Sequence, residues 1–308
     1  MQRLAIIHNP GAGSQANEEL GAIVALLAPH FTVSTHEVSA EHDPVSLAEA
    51  ALAGGVDVLV ASGGDGTVSA AASVLVGRDD VTLGIIPRGT GNSIAKSLGI
   101  PVGRDQACAV IIAGHTRTID TATAAGRTMV LMACVGLHAN AITETSDEAK
   151  AIFGKLAYAF TGLTLGATSA PFEIFLGTDD AAIRCEASAV TVANLAPATT
   201  FLARGPGEPQ ADDGQLAVTL VAVAGLADTL LTGMHLVTRA LAGLPADRDN
   251  VAHFRASRVR VQTAEPMPVM VDGEQVGTTP FEVVCVPKSL RVLVPDVPDA
   301  GAAPIPQT

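Results

Sequence analysis

Short apolar runs alternate with helical patterns over the first 100 residues. The runs at 4–7, 56–60 and 81–86 are almost continuously apolar, which is typical of strands buried on both faces of a sheet. In chain order, the pattern predicts strands at 4–7, 31–38, 56–60 and 81–86, and helices at about 15–28, 44–53, 68–76 and 94–98. Strands and helices that alternate in this way predict a parallel sheet covered on both faces by helices.

From about residue 122 the pattern changes to short strands separated by turns. The predicted strands are 128–135, 172–176, 183–193, 216–223, 258–263 and 281–286. Turn sequences such as Asp272-Gly273 between them indicate an antiparallel sheet. Two helices are expected within this half, at about 148–165 and 226–241, and the proline-rich tail after Pro295 is expected to be mobile.

The first candidate site is the stretch A-S-G-G-D-G-T at 61–67, directly after a predicted strand. Its glycines remove the side chains that would keep a phosphate group away from backbone N–H groups. Thr67 is expected to open a helix whose N-terminus offers unpaired donors and a positive dipole end. Asp65 is an anion where anions should bind, which favours a role in holding a cation or taking a proton. The alternative is a tight turn with an aspartate cap.

Two further small-residue bends follow predicted parallel strands. They are the loop at 8–14, which contains Asn9, and the loop at 87–93, which contains Gly89, Thr90 and Asn92. Loops after parallel strands lie along one rim of the sheet, where ligands of open α/β sheets bind. Three such loops together predict a nucleotide site.

Composition narrows the choice of partner. A chain of 308 residues, 48% hydrophobic and 16% charged, is long enough for about two domains with large cores. A net charge of -13 and only 3% aromatic residues argue against a nucleic-acid partner and against strong electrostatic docking on anionic lipid.

The four cysteines are scattered, which favours reduced core thiols. No signal-peptide pattern and no long apolar window is seen, so a soluble cytoplasmic protein is expected.

Taken together, the motifs resemble the diacylglycerol kinase catalytic-domain family, which includes soluble bacterial lipid kinases and sphingosine and ceramide kinases. The resemblance begins with Asn9-Pro10, Gly63-Gly64-Asp65-Gly66-Thr67 and Pro87-x-Gly-Thr-Gly-Asn92. It continues, in order, with Arg117-Thr118-Ile119-Asp120, Phe153-Gly154-Lys155-Leu156-Ala157-Tyr158, Asp212-Asp213-Gly214-Gln215-Leu216 and Asp272-Gly273-Glu274.

This resemblance implies a fold and a domain organisation. The fold is an N-terminal Rossmann-like parallel α/β domain and a C-terminal antiparallel β-sandwich domain, with the active site in the cleft between them. The nucleotide-binding domain would cover 1–121 together with a returning C-terminal strand at about 288–296. The sandwich would cover 122–287 and bind the lipid substrate, and 297–308 would be the mobile tail.

The resemblance also implies an ATP- and Mg²⁺-dependent lipid kinase that phosphorylates a hydroxyl of diacylglycerol or a related lipid. The residues expected to cradle the phosphates are Gly63, Gly64, Gly66 and Thr67, and those expected to close over the nucleotide are Asn9, Gly89, Thr90 and Asn92. Asp65 and Asp120 would hold Mg²⁺, and Asp213 matches the position of a separate structural Mg²⁺. Glu274 is the candidate base for the lipid hydroxyl, with Asp65 as its rival. The expected partners are ATP and a lipid alcohol, with at most transient peripheral membrane contact and a homodimer as an open alternative.

Several features leave alternatives open. Asp213-Gly214 and Asp272-Gly273 each also fit a plain hairpin turn, and Arg88 and Lys96 fit a solvated face better than a phosphate contact. Ser93 stands where bacterial members usually have aspartate, and His138 replaces a second frequent aspartate. Two other functions therefore remain, an NAD kinase-like soluble phosphotransferase and a non-catalytic nucleotide- or lipid-binding regulator.

Overall fold

The N-terminal half forms a parallel sheet in the computed structural model, which describes residues 1–12, 16–136, 171–196, 210–222 and 250–296. Its elements are β1 (Arg3–His8), α1 (Ala16–Leu27), β2 (Thr32–Glu37), α2 (Pro44–Ala53), β3 (Val58–Gly63), α3 (Asp65–Ser73), β4 (Thr82–Pro87), α4 (Ser93–Ser97) and α5 (Arg104–Ala113). β1 pairs in parallel with β2 and β3, and β3 pairs in parallel with β4. The strand order is therefore β2-β1-β3-β4, and the predicted parallel sheet is confirmed.

Helices cover both faces of this sheet, which is why its central strands are apolar throughout. All six residues of β3 and of β4 are buried. On one face Ile23 of α1 and Ile111 of α5 pack with Val60, and on the other Val68 of α3 packs with Leu59. Each strand thus buries both sets of alternate side chains, as parallel strands between two helical layers must.

Two helices of this half differ from the sequence prediction. α3 begins at Asp65 rather than near Thr67, because Gly64 already serves as its N-cap. α5 was not predicted; it runs between Gly103 and the left-handed Gly114 (φ 72°), and its buried face is made partly of small residues such as Ala107 and Cys108. Small side chains give a weak apolar stripe, so the helix is hard to see in the pattern.

The C-terminal half is antiparallel. Its strands are β5 (Thr116–Ala124), β6 (Arg127–Met129), β7 (Met132–Gly136), β8 (Phe172–Gly177), β9 (Ala182–Ala187), β10 (Ala189–Ala193), β11 (Leu216–Val221), β12 (Val251–Ala256), β13 (Arg258–Thr263), β14 (Pro268–Val271), β15 (Glu274–Thr278) and β16 (Phe281–Leu293). The pairings among these strands are antiparallel, which confirms the predicted architecture.

Two sheets face each other in this half. One is six-stranded, in the order β12-β11-β10-β7-β14-β15, and the other is the far part of the ten-stranded sheet that also contains β1–β4. Their shared core includes Val190 and Val218 from the first sheet and Val259 and Val283 from the second. The single strand predicted at 183–193 is two strands, because the chain passes at Ser188 from the ten-stranded sheet (β9) to the six-stranded one (β10).

β16 runs through both halves of the molecule. Its first part, around Val284, pairs with β5 and β13, and its last part places Val292 beside Leu83 of β4 in parallel. A register shift between Val286 and Leu290 separates the two parts, and Lys288 there has φ 48°. The strand predicted at 281–286 and the returning strand predicted at about 288–296 are thus one strand. The domain limits given above stay a prediction.

The helices predicted at 148–165 and 226–241 and the tail from 297 lie outside the described residues. None of the helices in the described part of the chain combines the length and the apolar character that a bilayer crossing requires.

Candidate active site

The bend at 63–67 joins β3 to α3, and three of its residues are glycines, which have no side chains. A Cβ atom on Gly63 would lie 2.4 Å from Oγ1 of Thr67. Thr67 is only 4% exposed, because its side chain packs against the bend. Gly64 makes no side-chain cap, and a Cβ on Gly66 would meet open space. No side chain of the bend itself therefore covers the unpaired amides of the first turn of α3.

The bend at 89–92 packs directly against the first bend. A Cβ on Gly89 would lie 2.6 Å from Cα of Gly64, so the two backbones are in contact. Asn92 has φ 49°, and its side chain closes back on Gly89: Oδ1 accepts from the Gly89 amide at 2.8 Å, and Nδ2 donates to the Gly89 carbonyl at 2.7 Å. Thr90 is exposed at the tip of this turn.

Asp65 links the two bends through its carboxylate. Oδ2 accepts the amide of Ser93 at 3.0 Å, and Oδ1 accepts the amide of Ile94 at 2.9 Å. These amides open α4, whose own N-cap Asn92 makes no side-chain cap. Asp65 thus caps a neighbouring helix, which is part of the structural alternative noted from the sequence. Each oxygen accepts one backbone amide and the residue is only partly buried, so acceptor capacity remains for a ligand.

Asn9 brings the third bend to the same place. Its amide donates to the carbonyl of Ser62 at 2.9 Å, its Nδ2 donates to Oγ1 of Thr67 at 3.3 Å, and its Oδ1 accepts the amide of Gly11 at 3.0 Å. The structure therefore brings together Asn9, Gly63, Gly64, Asp65, Gly66, Thr67, Gly89, Thr90 and Asn92. We call this assembly of three bends the rim.

Beneath the rim lies an arginine that the sequence assigned to a solvated face, and that interpretation was wrong. The side chain of Arg88 is only 2% exposed and forms an ion pair of 2.7 Å with Glu19 of α1. Its Nη1 also donates to the carbonyl of Asn9 at 2.9 Å. Lys96 differs, since it is partly exposed and its ammonium donates to the carbonyl of Gly91.

Asp120 and Asp213 lie together in a second place. Asp120 is fully buried; its Oδ2 accepts the amide of Gly214 and its Oδ1 the amide of Lys288, each at 2.7 Å. Asp213 lies 2.6 Å from Nη2 of Arg255. Burial, reinforced by these two carboxylates, raises the pKa of the Cys285 thiol to about 12. Asp120 is thus enclosed by protein, and Asp213 is paired with an arginine.

The third place is the turn between β14 and β15, and it contains a residue whose role sequence reasoning missed. Asp272 (φ 50°) and Gly273 (φ 93°) form the predicted hairpin turn. The Asp272 carboxylate accepts the amides of Val130, Leu131 and Met132 at 2.8, 2.8 and 3.0 Å and the Ser69 hydroxyl at 3.1 Å. Loss of hydration raises the pKa of Asp272 above its ordinary value, against the opposing effect of these hydrogen bonds. Asp272 therefore connects the hairpin to α3.

Glu274 follows two residues later at the start of β15. Its side chain is 61% exposed, and its carboxylate pairs with Arg127 at 3.0 Å. Because Ser69 lies two residues beyond Thr67 on α3, the Asp272–Ser69 bond places this hairpin beside the helix that the first bend opens.

The residues present fit a magnesium ion in one of the three places. Across the residues that are described, no group of three His, Cys, Asp or Glu side chains could hold a metal alone. Mg²⁺ bound with a nucleotide needs only one or two carboxylates, since phosphate oxygens and water complete its shell. Asp65 meets that need because it is partly exposed beside the rim, whereas Asp120 is fully buried. His138 lies outside the described residues.

Two family models match the chain. The diacylglycerol kinase catalytic domain matches residues 3–124, and the YegS C-terminal NAD kinase beta sandwich-like domain matches residues 132–294. The two matched regions correspond to the parallel and antiparallel halves of the fold.

Individual proteins are also similar to this chain over most of its length. A diacylglycerol kinase of Bacillus subtilis is 28% identical over 96% of this chain and 97% of its own length. An uncharacterized protein of Synechocystis is 40% identical over 78% of this chain, and the matched region spans 55% of that protein. The crystal structure of a diacylglycerol kinase from Bacillus anthracis has the same fold, with a TM-score of 0.73, 21% identity and coverage of 95% of this chain and 97% of the other.

Proposed function

The chain belongs to the diacylglycerol kinase catalytic-domain family, and we propose that it transfers the γ-phosphoryl group of ATP to a hydroxyl of diacylglycerol or a related lipid. The lipid would be reached by transient peripheral contact with a membrane, and the proposal needs no dimer. The observation that carries it is the rim, where three small-residue bends from separate strands contact one another.

The rim supports triphosphate binding through its backbone. The first turn of α3 offers unpaired amides and the positive end of the helix dipole, and glycines let phosphate oxygens approach them closely. Gly63, Gly64, Gly66 and Thr67 would form the cradle, with Asn9, Gly89, Thr90 and Asn92 around it. Phosphoryl transfer depends mainly on such positioning and on charge stabilisation.

Asp65 is the residue that we assign to Mg²⁺, directly or through water. The ion, when bound, supplies positive charge to the phosphate oxygens. We assign Asp120 and Asp213 to holding the turn at 211–215, because Asp120 is fully buried against the Gly214 amide and Asp213 pairs with Arg255.

Glu274 is the proposed base for the lipid hydroxyl. It is exposed, and its hairpin is tied to α3 through Asp272 and Ser69. A base at this position must come within about 3 Å of the acceptor oxygen in the productive complex, as any general base must. The Arg127 pair holds the side chain in the absence of substrate.

Radiolabel transfer from ATP to diacylglycerol in mixed micelles tests the proposal. Asp65→Asn keeps the size of the side chain but removes its charge, and we expect the rate to fall about 10²-fold or more. Asp105→Asn is the matched control, since Asp105 is an exposed residue of α5 paired only locally with Arg104. Transfer that survives in Asp65→Asn would remove Asp65 from the mechanism, and no transfer by the natural chain to any lipid would reject the lipid kinase.

An NAD kinase-like phosphotransferase is the second candidate. The C-terminal half matches a domain described as NAD kinase beta sandwich-like, and a fold of this kind serves more than one acceptor. An assay with NAD as acceptor separates the two functions. ATP binding without transfer to any acceptor would instead favour a non-catalytic regulator, for which Ser93 in place of the usual aspartate is the supporting feature.

A further inference from the structure

Arg88 is the residue that immediately precedes the bend at 89–92, and its guanidinium is enclosed by protein groups. Nε and Nη2 donate to Oε2 of Glu19 at 2.9 and 2.7 Å. Nη1 donates to the Asn9 carbonyl at 2.9 Å and lies 3.2 Å from Nε2 of His8. His8 is 1% exposed, and its Nδ1 lies 3.1 Å from the Ser62 hydroxyl.

These contacts connect the one pair of bends not joined by the interactions described above. Asp65 and the Gly64–Gly89 contact join the bend at 63–67 to the bend at 89–92, and the Asn9–Thr67 bond joins the bend at Asn9 to the bend at 63–67. Arg88 joins the bend at Asn9 to the bend at 89–92. The three bends are thereby connected in a closed triangle.

We propose that Arg88, held by Glu19, is a positioning residue for ATP, which fixes the bend at Asn9 relative to the other two. The inference rests on the proposed function, because it assigns the rim to the nucleotide. Arg88 does not contact phosphate itself: its side chain is only 2% exposed and its donors are directed to Glu19 and Asn9.

The contact with Asn9 gives Arg88 this role beyond stability alone. Arg88 holds the backbone carbonyl of Asn9, and both ends of the Asn9 side chain are used at the rim, one on Thr67 and one on Gly11. A shift of that backbone would move both contacts, and small displacements of binding groups weaken binding strongly. Lysine cannot reproduce the arrangement, because it lacks the planar fork that reaches two partners at once.

Binding of ATP–Mg²⁺ by titration calorimetry, together with kinetics toward diacylglycerol, tests the inference. In Arg88→Lys we expect the dissociation constant and KM for ATP to rise about tenfold, whereas kcat at saturating ATP stays within about threefold. Glu19→Gln should show the same pattern more weakly, because it leaves Arg88 with a neutral acceptor. The double variant should lose less than the product of the single effects, since both act through one network.

Arg78→Lys is the matched control, because Arg78 forms an exposed ion pair with Asp80 at 2.7 Å and should leave ATP binding unchanged. Melting temperatures identify variants that do not fold; if Arg88→Lys fails to fold, Glu19→Gln decides. Unchanged ATP affinity in a folded variant would overturn the inference alone, as would unfolding of both variants, which would show a purely structural network. A natural chain that binds no ATP would overturn the inference together with the proposed function.

Discussion

The rim and the hairpin between β14 and β15 each contain an Asp-Gly pair whose carboxylate accepts backbone amides, but the rim also depends on close packing between other glycines. At the rim, a Cβ on Gly89 would lie 2.6 Å from Cα of Gly64. At the hairpin, the aspartate decides the structure, since the Asp272 carboxylate accepts three backbone amides and a hydroxyl. A Cβ on Gly273 would meet open space, although its φ of 93° still favours glycine.

This difference shows that the two regions depend on different neighbours of a shared motif. A rim that admits phosphate oxygens to backbone amides, as we propose, needs close packing without side chains. A hairpin that is held against a distant helix needs one side chain with several acceptor sites. Substitutions in the two regions therefore need to be measured for both activity and stability.

The largest expected effect concerns Glu274, the hairpin residue that we propose as the base for the lipid hydroxyl. Glu274→Gln should lower kcat by about 10²–10⁴-fold, because general base catalysis contributes about that much. The free energy of unfolding should change little, since the side chain is 61% exposed and glutamine can still accept from Arg127. Glu282→Gln, which alters another exposed partner of an arginine, is the control. A kcat within twofold of the natural chain would assign the base elsewhere, with Asp65 as the first alternative.

Asp272→Asn should have the largest effect on stability. Asparagine tolerates the positive φ of this position, so the turn itself should survive. One oxygen becomes an NH₂ group, which faces either the amides of Leu131 and Met132 or the Val130 amide and the Ser69 hydroxyl, and the free energy of unfolding should fall by about 3 kcal/mol. Guanidinium denaturation measures it, with Asp105→Asn as the exposed control. A loss below about 1 kcal/mol would mean that the turn sequence, not the carboxylate, holds the hairpin.

Much of the rim could be predicted because its determinants are local. Continuous apolar runs ended by glycines identify the strands and the bends after them, and parallel pairing then places the bends on one edge of the sheet. The sequence does not contain an equally local sign for Asp272. Its acceptors are used by backbone amides about 140 residues away, and any residue type except proline at 130–132 would provide those amides.

Arg88 shows the same limit for a charged residue. An isolated arginine beside a glycine-rich turn favours an exposed position, and its partner Glu19 lies 69 residues earlier on a helix. The prediction of a single strand at 183–193 was wrong for another reason. Its first half alternates between exposed and more buried residues, its second half is fully buried, and the two halves belong to different sheets with only Ser188 between them. Local pattern predicts elements, whereas long-range partners decide which sheet they join and which charges are buried.

Gly89→Ala tests the rim side of the comparison. The new methyl group would meet the Gly64 backbone, which cannot rotate away as a side chain could, and overpacking of this kind costs about 1–3 kcal/mol. We expect that loss in denaturation experiments, together with weaker ATP binding as the two bends separate. Gly66→Ala is the matched stability control, because its Cβ would have nothing within 4 Å. Equal stability of the two variants would show that the rim adapts and that its glycines are not there for packing.

Ser69→Ala has the smallest expected effect and tests the hydrogen bond between Ser69 and Asp272, which joins α3 to the hairpin. We call this bond the joint. It removes the 3.1 Å bond to Asp272 but leaves the three amide bonds, so we expect about 1 kcal/mol less stability. Ser73→Ala is a close control, because Ser73 lies on the same helix but bonds only to the carbonyl of Ala70 within it. If the hairpin positions Glu274 through this joint, kcat toward diacylglycerol should fall in Ser69→Ala and not in Ser73→Ala, with ATP affinity unchanged in both. A kcat that is equal in the two variants would mean that the amides of 130–132 alone hold the hairpin, and that the rim and the base are positioned independently.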